Sequence, residues 1–203
     1  TLFGKAFKET DVKREDIFVQ SKCGIVPGVM YDLSKKHILE SVDGILKRLD
    51  MEYLDALVLH RPDALVEPEE VAAAFDELEK SGKVRHFGVS NQKPMQIELL
   101  KRYVKQPIEI DQLQLSIPCS NMITNGMEVN MASEGAVDRD GSVLDYCRLN
   151  DITIQAWSPF QYGFFEGVFI GNEEKYPKLN AVLNELADKY NVLPSGIATA
   201  WIL

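Results

Sequence analysis

The chain has 203 residues, of which 45% are hydrophobic and 26% are charged. This composition is ample for one packed core and argues against wholesale disorder. The net charge of −9 argues against a nucleic-acid-binding protein, which normally carries a basic face. A locally positive pocket for an anionic cofactor remains compatible with it, because net charge does not fix local potential.

The three cysteines, Cys23, Cys119 and Cys147, are widely spaced and odd in number. They form no C-x-x-C pair and no His/Cys cluster of zinc-binding spacing. We therefore expect reduced thiols in a cytoplasmic protein, with no metal site. The sequence shows no signal-peptide pattern and no apolar stretch long enough to span a bilayer, so no membrane association is expected.

The predicted elements alternate between helices and strands along the chain. In the first half they are a helical stripe at Leu2–Phe7, a strand at Ile17–Ser21, a helix from Ser34, a strand at Ala56–Leu59, a helix from Pro68 to Ser81-Gly82, a strand at Phe87–Val89 and a helix from Pro94. In the second half they are a strand at Gln112–Leu115, a polar stretch over 119–141, a helix at Val143–Leu149, a strand at Ile152–Ala156, a helix at Leu179–Tyr190 and a helical piece after Pro194.

Local chemistry predicts several helix starts in this series. Ser34 is a suitable N-cap, because its side-chain oxygen can accept a hydrogen bond from a backbone N–H of the first turn. Pro68 suits the first helical position, and the acidic residues Glu69 and Glu70 that follow it suit the positive end of the helix dipole.

Alternation of this kind predicts a parallel sheet with crossover helices. The sequence lacks G-x-G-x-x-G and G-x-x-x-x-G-K-[ST], which would indicate phosphate binding on an open sheet. A polar residue ends each apolar run rather than marking a single switch point, which favours an α/β fold of the TIM (β/α)8 barrel type. Five strands do not close an eight-stranded barrel, so we expect three strands outside this chain. We predict one domain over residues 1–203, incomplete at both ends.

Five motifs lie in order where the predicted strands end. They are S-K-C-G at 21–24, L-H-R-P-D at 59–63, G-K-V-R-H-F-G-V-S-N at 82–91, D-Q-L-Q-L-S at 111–116 and A-W-S-P at 156–159. With these motifs the chain resembles the aldo/keto reductase family over essentially its whole length. The resemblance implies a barrel with strands 3–7 and helices 2–7 in this chain. It also implies reduction of aldehydes or ketones to alcohols with NADP(H) as the cofactor.

The resemblance assigns two catalytic residues to this chain. Lys22 matches the family's lysine and His60 its histidine. The family's catalytic Asp and Tyr belong to a D-x-A-x-x-Y-G segment, which does not occur in these 203 residues and which we expect before Thr1. Lys22 would lower the pKa of that tyrosine, which acts as proton donor, while His60 would orient the carbonyl.

The resemblance also implies a cofactor-binding set of five residues. Ser90, Asn91 and Gln112 would fix the nicotinamide carboxamide, which has both donor and acceptor groups. Trp157 would stack on the ring, and Ser158 would meet the pyrophosphate.

Two other interpretations stay open. A chain of this fold can be a nicotinamide-binding regulatory or protein-interaction subunit with little turnover. Alternatively, the 203 residues are only a folding fragment, whose open sheet edges would favour aggregation and whose missing residues would abolish activity. The substrate beyond a small carbonyl compound, the preference for NADP over NAD and the oligomeric state cannot be predicted from these residues.

Overall fold

The computed structural model describes residues 1–163 and 166–203. Its helices are α1 (Leu2–Lys8), α2 (Lys35–Leu49), α3 (Pro68–Lys80), α4 (Pro94–Lys101), α5 (Asn121–Thr124), α6 (Val143–Leu149), α7 (Pro177–Tyr190) and α8 (Pro194–Ile202). Its strands are β1 (Gln20–Cys23), β2 (Ile25–Val26), β3 (Met30–Tyr31), β4 (Leu54–Leu59), β5 (Val84–Ser90), β6 (Ile108–Gln114) and β7 (Thr153–Trp157). Five of the strands form a sheet of order β1-β4-β5-β6-β7, and β2 and β3 form a separate hairpin.

The helix starts follow the expected chemistry. The Ser34 side chain accepts a hydrogen bond of 3.2 Å from the backbone N–H of His37 at the start of α2. Pro68, Pro94 and Pro194 each open a helix at its first turn, where the missing N–H costs no internal hydrogen bond. The predicted helix Val143–Leu149 is confirmed at both ends.

The first predicted strand is displaced from its predicted position. The sequence suggested Ile17–Ser21, whereas β1 covers Gln20–Cys23. Ile17 is instead held by Arg14, which donates to its carbonyl at 2.9 Å. The parallel pairing with β4 begins at Gln20, opposite Ala56. Lys22 therefore lies within β1 rather than after it.

The chain divides into two compact units. The first comprises residues Thr1–Asp111 and Asp145–Thr153, and the second comprises Gln112–Leu144 and Ile154–Leu203. A single domain over 1–203 stays a prediction.

The first unit contains β1, β4 and β5 in parallel register with helices packed on them. Gly88 of β5 lies opposite Val58 of β4. A side chain at Gly88 would meet Ile110 of β6, because its Cβ would lie 2.7 Å from that residue's Cβ. Phe75 of α3 and Phe87 of β5, both almost fully buried, stack with ring centroids 4.2 Å apart. Glycine at 88 thus permits the close approach of two strands. The aromatic pair packs the crossover helix α3 against the sheet.

The second unit has its own apolar cluster of Phe169, Leu183 and Ala198. Asn180, buried in α7, accepts from the backbone N–H of Gly171 at 2.7 Å and donates to the carbonyl of Phe169 at 2.9 Å. This amide side chain satisfies backbone groups of the loop before α7, which would otherwise be buried without partners.

Candidate active site

Lys22 and His60 come together at the ends of two neighbouring parallel strands. Lys22 lies opposite Val58 in the β1–β4 ladder. His60 follows β4 directly, and its backbone N–H donates to the carbonyl of Cys23 at 2.9 Å. The two side chains are close enough for the Lys22 charge to act on the imidazole. The ammonium and the imidazole therefore lie in the same part of the first unit, and their catalytic pairing stays a prediction.

The electrostatics of this pair favour the neutral imidazole. Burial lowers the pKa of His60, and the charges of Lys22 and Arg61 lower it further. Burial also lowers the pKa of Lys22, with a further contribution from Arg61. Because an unperturbed histidine has a pKa near 6.5, His60 is neutral at physiological pH and offers one donor and one acceptor nitrogen.

Cys23, next to Lys22, is not part of this chemistry. The side chain is buried, and burial raises the pKa of its thiol to about 12. Since the thiolate is the nucleophilic form, Cys23 is an inert core residue at neutral pH.

Ser90 and Asn91 lie where β5 ends in the same unit. Ser90 is 1% exposed, and the side-chain amide of Asn91 donates to its hydroxyl oxygen at 2.9 Å. Asn91 has φ of 56°, in the left-handed region. Asparagine tolerates that conformation better than most residues, and such strained positions cluster at functional sites. The pair forms a short, ordered polar turn before α4.

The second unit holds the remaining predicted residues. The side-chain amide of Gln112 donates to the side-chain oxygen of Gln155 at 3.2 Å, so the two glutamines fix each other. Trp157 is the last residue of β7 and is partly buried. Ser158 follows with φ of 50°, and its carbonyl accepts from the backbone N–H of Gln161 at 3.0 Å, which closes a turn.

Two hydrogen bonds from side chains to backbone carbonyls hold the loop that follows Ser158. The hydroxyl of Ser116, which is fully buried, donates to the carbonyl of Gln161 at 2.6 Å. Gln114 donates its side-chain amide to the carbonyl of Tyr162 at 2.8 Å. Side chains of the D-Q-L-Q-L-S motif therefore hold the described start of this loop in place.

Each unit thus groups some of the predicted residues. The first brings Lys22 and His60 together and carries the Ser90-Asn91 turn, while the second carries Gln112 and the Trp157-Ser158 strand end. The individual catalytic and cofactor-binding roles stay predictions.

Sequence reasoning did not assign roles to Arg61, Gln155 and Asp111. Arg61 acts on the pKa of both Lys22 and His60, and Gln155 holds Gln112. Asp111 is fully buried. Arg61 and Asp111 lie inside the motifs L-H-R-P-D and D-Q-L-Q-L-S. A charged residue within a strand-end motif is therefore the sequence feature that could have identified them.

Taken unit by unit, the chemistry of these residues suits a nicotinamide cofactor. In the first unit the Ser90-Asn91 turn offers a donor and an acceptor, which a carboxamide needs, and in the second unit the Gln112 amide offers the same two kinds of group. The partly buried indole of Trp157 offers a flat apolar face suited to an aromatic ring.

Comparison with known proteins identifies the class of protein. The model of the aldo/keto reductase family matches residues 1–203. The uncharacterized oxidoreductase YcsN of Bacillus subtilis is 36% identical over 195 residues, covering 91% of this chain and 58% of that protein. A 6-dehydroglucose reductase of Agrobacterium fabrum is 29% identical over 212 residues, covering all of this chain and 64% of that protein.

A solved structure has the same fold. The crystal structure of MGS-M4, an aldo-keto reductase enzyme from a deep-sea metagenome library of the Medee basin, matches with a TM-score of 0.71 at 24% identity, covering 98% of this chain and 61% of that one. The chain belongs to the aldo/keto reductase family, and its α/β fold is of the TIM-barrel type predicted from the sequence. It spans about three fifths of the length of these relatives.

Proposed function

We propose that this chain carries the lysine, the histidine and the nicotinamide-binding segments of an oxidoreductase that reduces aldehydes or ketones to alcohols with NADPH. The observation that carries the proposal is the pairing of Lys22 and His60 at adjacent ends of parallel strands. An ammonium beside a neutral imidazole suits a reaction that leaves negative charge on an oxygen and then protonates it.

In the proposed reaction NADPH supplies the hydride when it is bound. His60 offers a hydrogen bond to the carbonyl oxygen and so orients the substrate. Lys22 keeps its positive charge beside a tyrosine outside these 203 residues and lowers the pKa of that phenol. An unperturbed phenol has a pKa near 10, so this shift makes it a better proton donor at neutral pH.

The cofactor-binding roles follow the family resemblance. Ser90, Asn91 and Gln112 hold the carboxamide and fix which face of the ring is presented. Trp157 packs on the ring, and Ser158 meets the pyrophosphate. The choice of NADP over NAD rests on the resemblance alone.

The proposed setting is the cytoplasm, with a small carbonyl compound as the substrate. Cys23, Cys119 and Cys147 are free thiols, which suits a reducing compartment. Across residues 1–163 and 166–203, no helix has both the length and the apolar character needed to cross a membrane.

The test uses the intact protein, with the proposed tyrosine present, and combines NADPH titration by fluorescence with carbonyl reduction over a panel of aldehydes. Lys22→Met keeps the length of the side chain and removes its charge. Lys47→Met, at an exposed position in α2, is the matched control. We expect the first variant to bind NADPH and to lose at least about 100-fold in kcat, the scale of acid–base catalysis, while the control matches the wild type.

Unchanged turnover in Lys22→Met would overturn the proposed mechanism. Tight NADPH binding with negligible turnover of every aldehyde by the wild type would favour the regulatory-subunit interpretation instead.

A further inference from the structure

Asp111 is a buried acid that the proposed reaction does not use. It is 0% exposed, and neither carboxyl oxygen makes a well-formed hydrogen bond to the described residues. Burying an unpaired carboxylate is costly, and such groups in native proteins call for an explanation. An apolar residue would pack in this strand at lower cost, so the acid at this position has a reason other than core packing.

The backbone N–H of Gln92 lies close enough to the carboxyl of Asp111 to offset part of the effect of burial on its pKa, although the two groups make no well-formed hydrogen bond. Gln92 itself is 4% exposed, and its side-chain oxygen is buried without a donor. Burial raises the pKa of Asp111 to about 7.

Cys147 of α6 is a second group that lies close to Asp111. That residue is 0% exposed, and burial raises the pKa of its thiol to about 12, with a contribution from Asp111. Cys147 is neutral near pH 7 and contributes no charge there. The carboxyl of Asp111 therefore lies near a neutral thiol and near a backbone amide.

Gln92 connects this acid to the candidate cofactor site. It directly follows Asn91, whose left-handed backbone the surrounding structure must maintain. The turn between β5 and α4 has only three residues, Asn91 to Lys93, so fixing the amide of Gln92 restricts the peptide that orients Asn91. Asp111 and Gln112 are consecutive in β6, and their side chains point to opposite faces.

We propose that Asp111 is a positioning residue, which holds the turn from Asn91 to Lys93 through the backbone of Gln92 and so presets the amide of Asn91 for the nicotinamide carboxamide. The consequence for the cofactor depends on the proposed function. The anchoring of the turn does not.

The binding test compares two variants at about pH 6. Asp111→Asn keeps the size, one acceptor and one donor, whereas Asp111→Leu removes hydrogen bonding. Leu78→Ala, in the buried face of α3, is a destabilising control with no part in the site. We expect the Kd for NADPH to rise about fivefold or more in Asp111→Leu, because the Gln92 N–H loses the acceptor beside it, and to stay within about twofold in Asp111→Asn.

Urea unfolding of each variant separates binding from stability. Leu78→Ala should lose stability and keep the wild-type Kd under conditions where it is folded. Wild-type affinity in a folded Asp111→Leu variant, or equal weakening in Leu78→Ala, would overturn the positioning role.

An NMR measurement on the cofactor-free chain decides the anchoring by itself. We expect the amide signals of Asn91 and Gln92 to move as wild-type Asp111 titrates, and not in Asp111→Asn. The other titratable groups nearby are Cys147 and the Glu109–His86 pair, and comparison with the Asn variant removes their contribution. If the wild type binds no NADPH, the proposed function fails. If these amide signals do not move during the titration, the anchoring is wrong.

Discussion

The buried acid at position 111 makes the stability of this protein depend on pH in a defined direction. In the unfolded chain an aspartate has a pKa near 3.9, whereas in the folded chain burial raises the pKa of Asp111 to about 7. The difference of roughly three units corresponds to at most about 4 kcal/mol, at about 1.36 kcal/mol per unit. Asp111→Asn removes this titration and keeps the shape of the side chain.

The sign follows from which state holds the proton. Between about pH 4 and pH 7 the folded protein keeps a proton on Asp111 that the unfolded chain has released. The contribution of this group to the free energy of unfolding therefore falls as pH rises through that window, and it is constant below and above it. The free energy of unfolding of Asp111→Asn, measured relative to that of the wild type, should therefore increase by up to about 4 kcal/mol between pH 4 and pH 8.

Urea unfolding followed by tryptophan fluorescence and circular dichroism at a series of pH values measures this difference. Asp11→Asn, at an exposed position, is the matched control and should track the wild type throughout. The reasoning is refuted if the stability curves of Asp111→Asn and the wild type stay parallel from pH 4 to pH 8.

Two further substitutions probe the first unit. Arg61→Gln should raise the pKa of His60, because it removes one of the positive charges that lower it; an NMR titration of the imidazole measures the change. Phe75→Ala should cost about 3–5 kcal/mol in the free energy of unfolding, because it empties a fully buried position stacked on Phe87; urea unfolding measures the loss.

Each of these has a control in the same chain. Arg102→Gln, exposed after α4, should leave the His60 titration unchanged, and an equal effect of both arginine variants would point to net charge rather than to proximity. Phe18→Ala, at a side chain 60% exposed, should cost far less than Phe75→Ala. Similar losses for both would contradict the assignment of Phe75 to the core.

Helix starts were predictable because their causes are local. A hydroxyl at Ser34 and prolines at 68, 94 and 194 act on the first turn that follows them, whatever the rest of the fold does. The same is true of the turn in the β2–β3 hairpin, which the sequence analysis overlooked. Pro27-Gly28 is a strong turn signal. Gly28 has φ of 73°, and the N–H of Val29 donates to the carbonyl of Val26 at 3.0 Å.

Strand limits were less predictable because they depend on distant partners. β1 begins at Gln20 because that residue pairs with Ala56, and the Ile17 carbonyl before it is bonded to Arg14 instead. Gln112 was expected to open its strand, yet it is the fifth of the seven residues of β6. A one-residue change of register reverses the face to which a side chain points, so motif position alone does not determine what a polar strand residue contacts.

The same limit explains why Asp111 was overlooked while Lys22 and His60 were found. Two aspartates, Asp55 in L-D-A-L and Asp111 in I-D-Q-L, look alike in the sequence and are both buried. Burial raises the pKa of Asp55, but the Val19 N–H at 2.7 Å, Arg14 at 2.7 Å and Arg85 outweigh it, so the net pKa lies below its usual range.

Asp111 has no cation of this kind among the described residues, and burial therefore dominates its pKa. The carboxyl of Asp55 is ionised at neutral pH and ties β4 to the segment before β1, whereas the carboxyl of Asp111 retains its proton up to about pH 7. Because the partners of Asp55 lie 30 to 41 positions away in the chain, a local pattern cannot separate the two cases. The charge state of an acid in a buried strand is therefore set by tertiary contacts. These contacts, which the motif does not show, are what make Asp111 a candidate positioning residue.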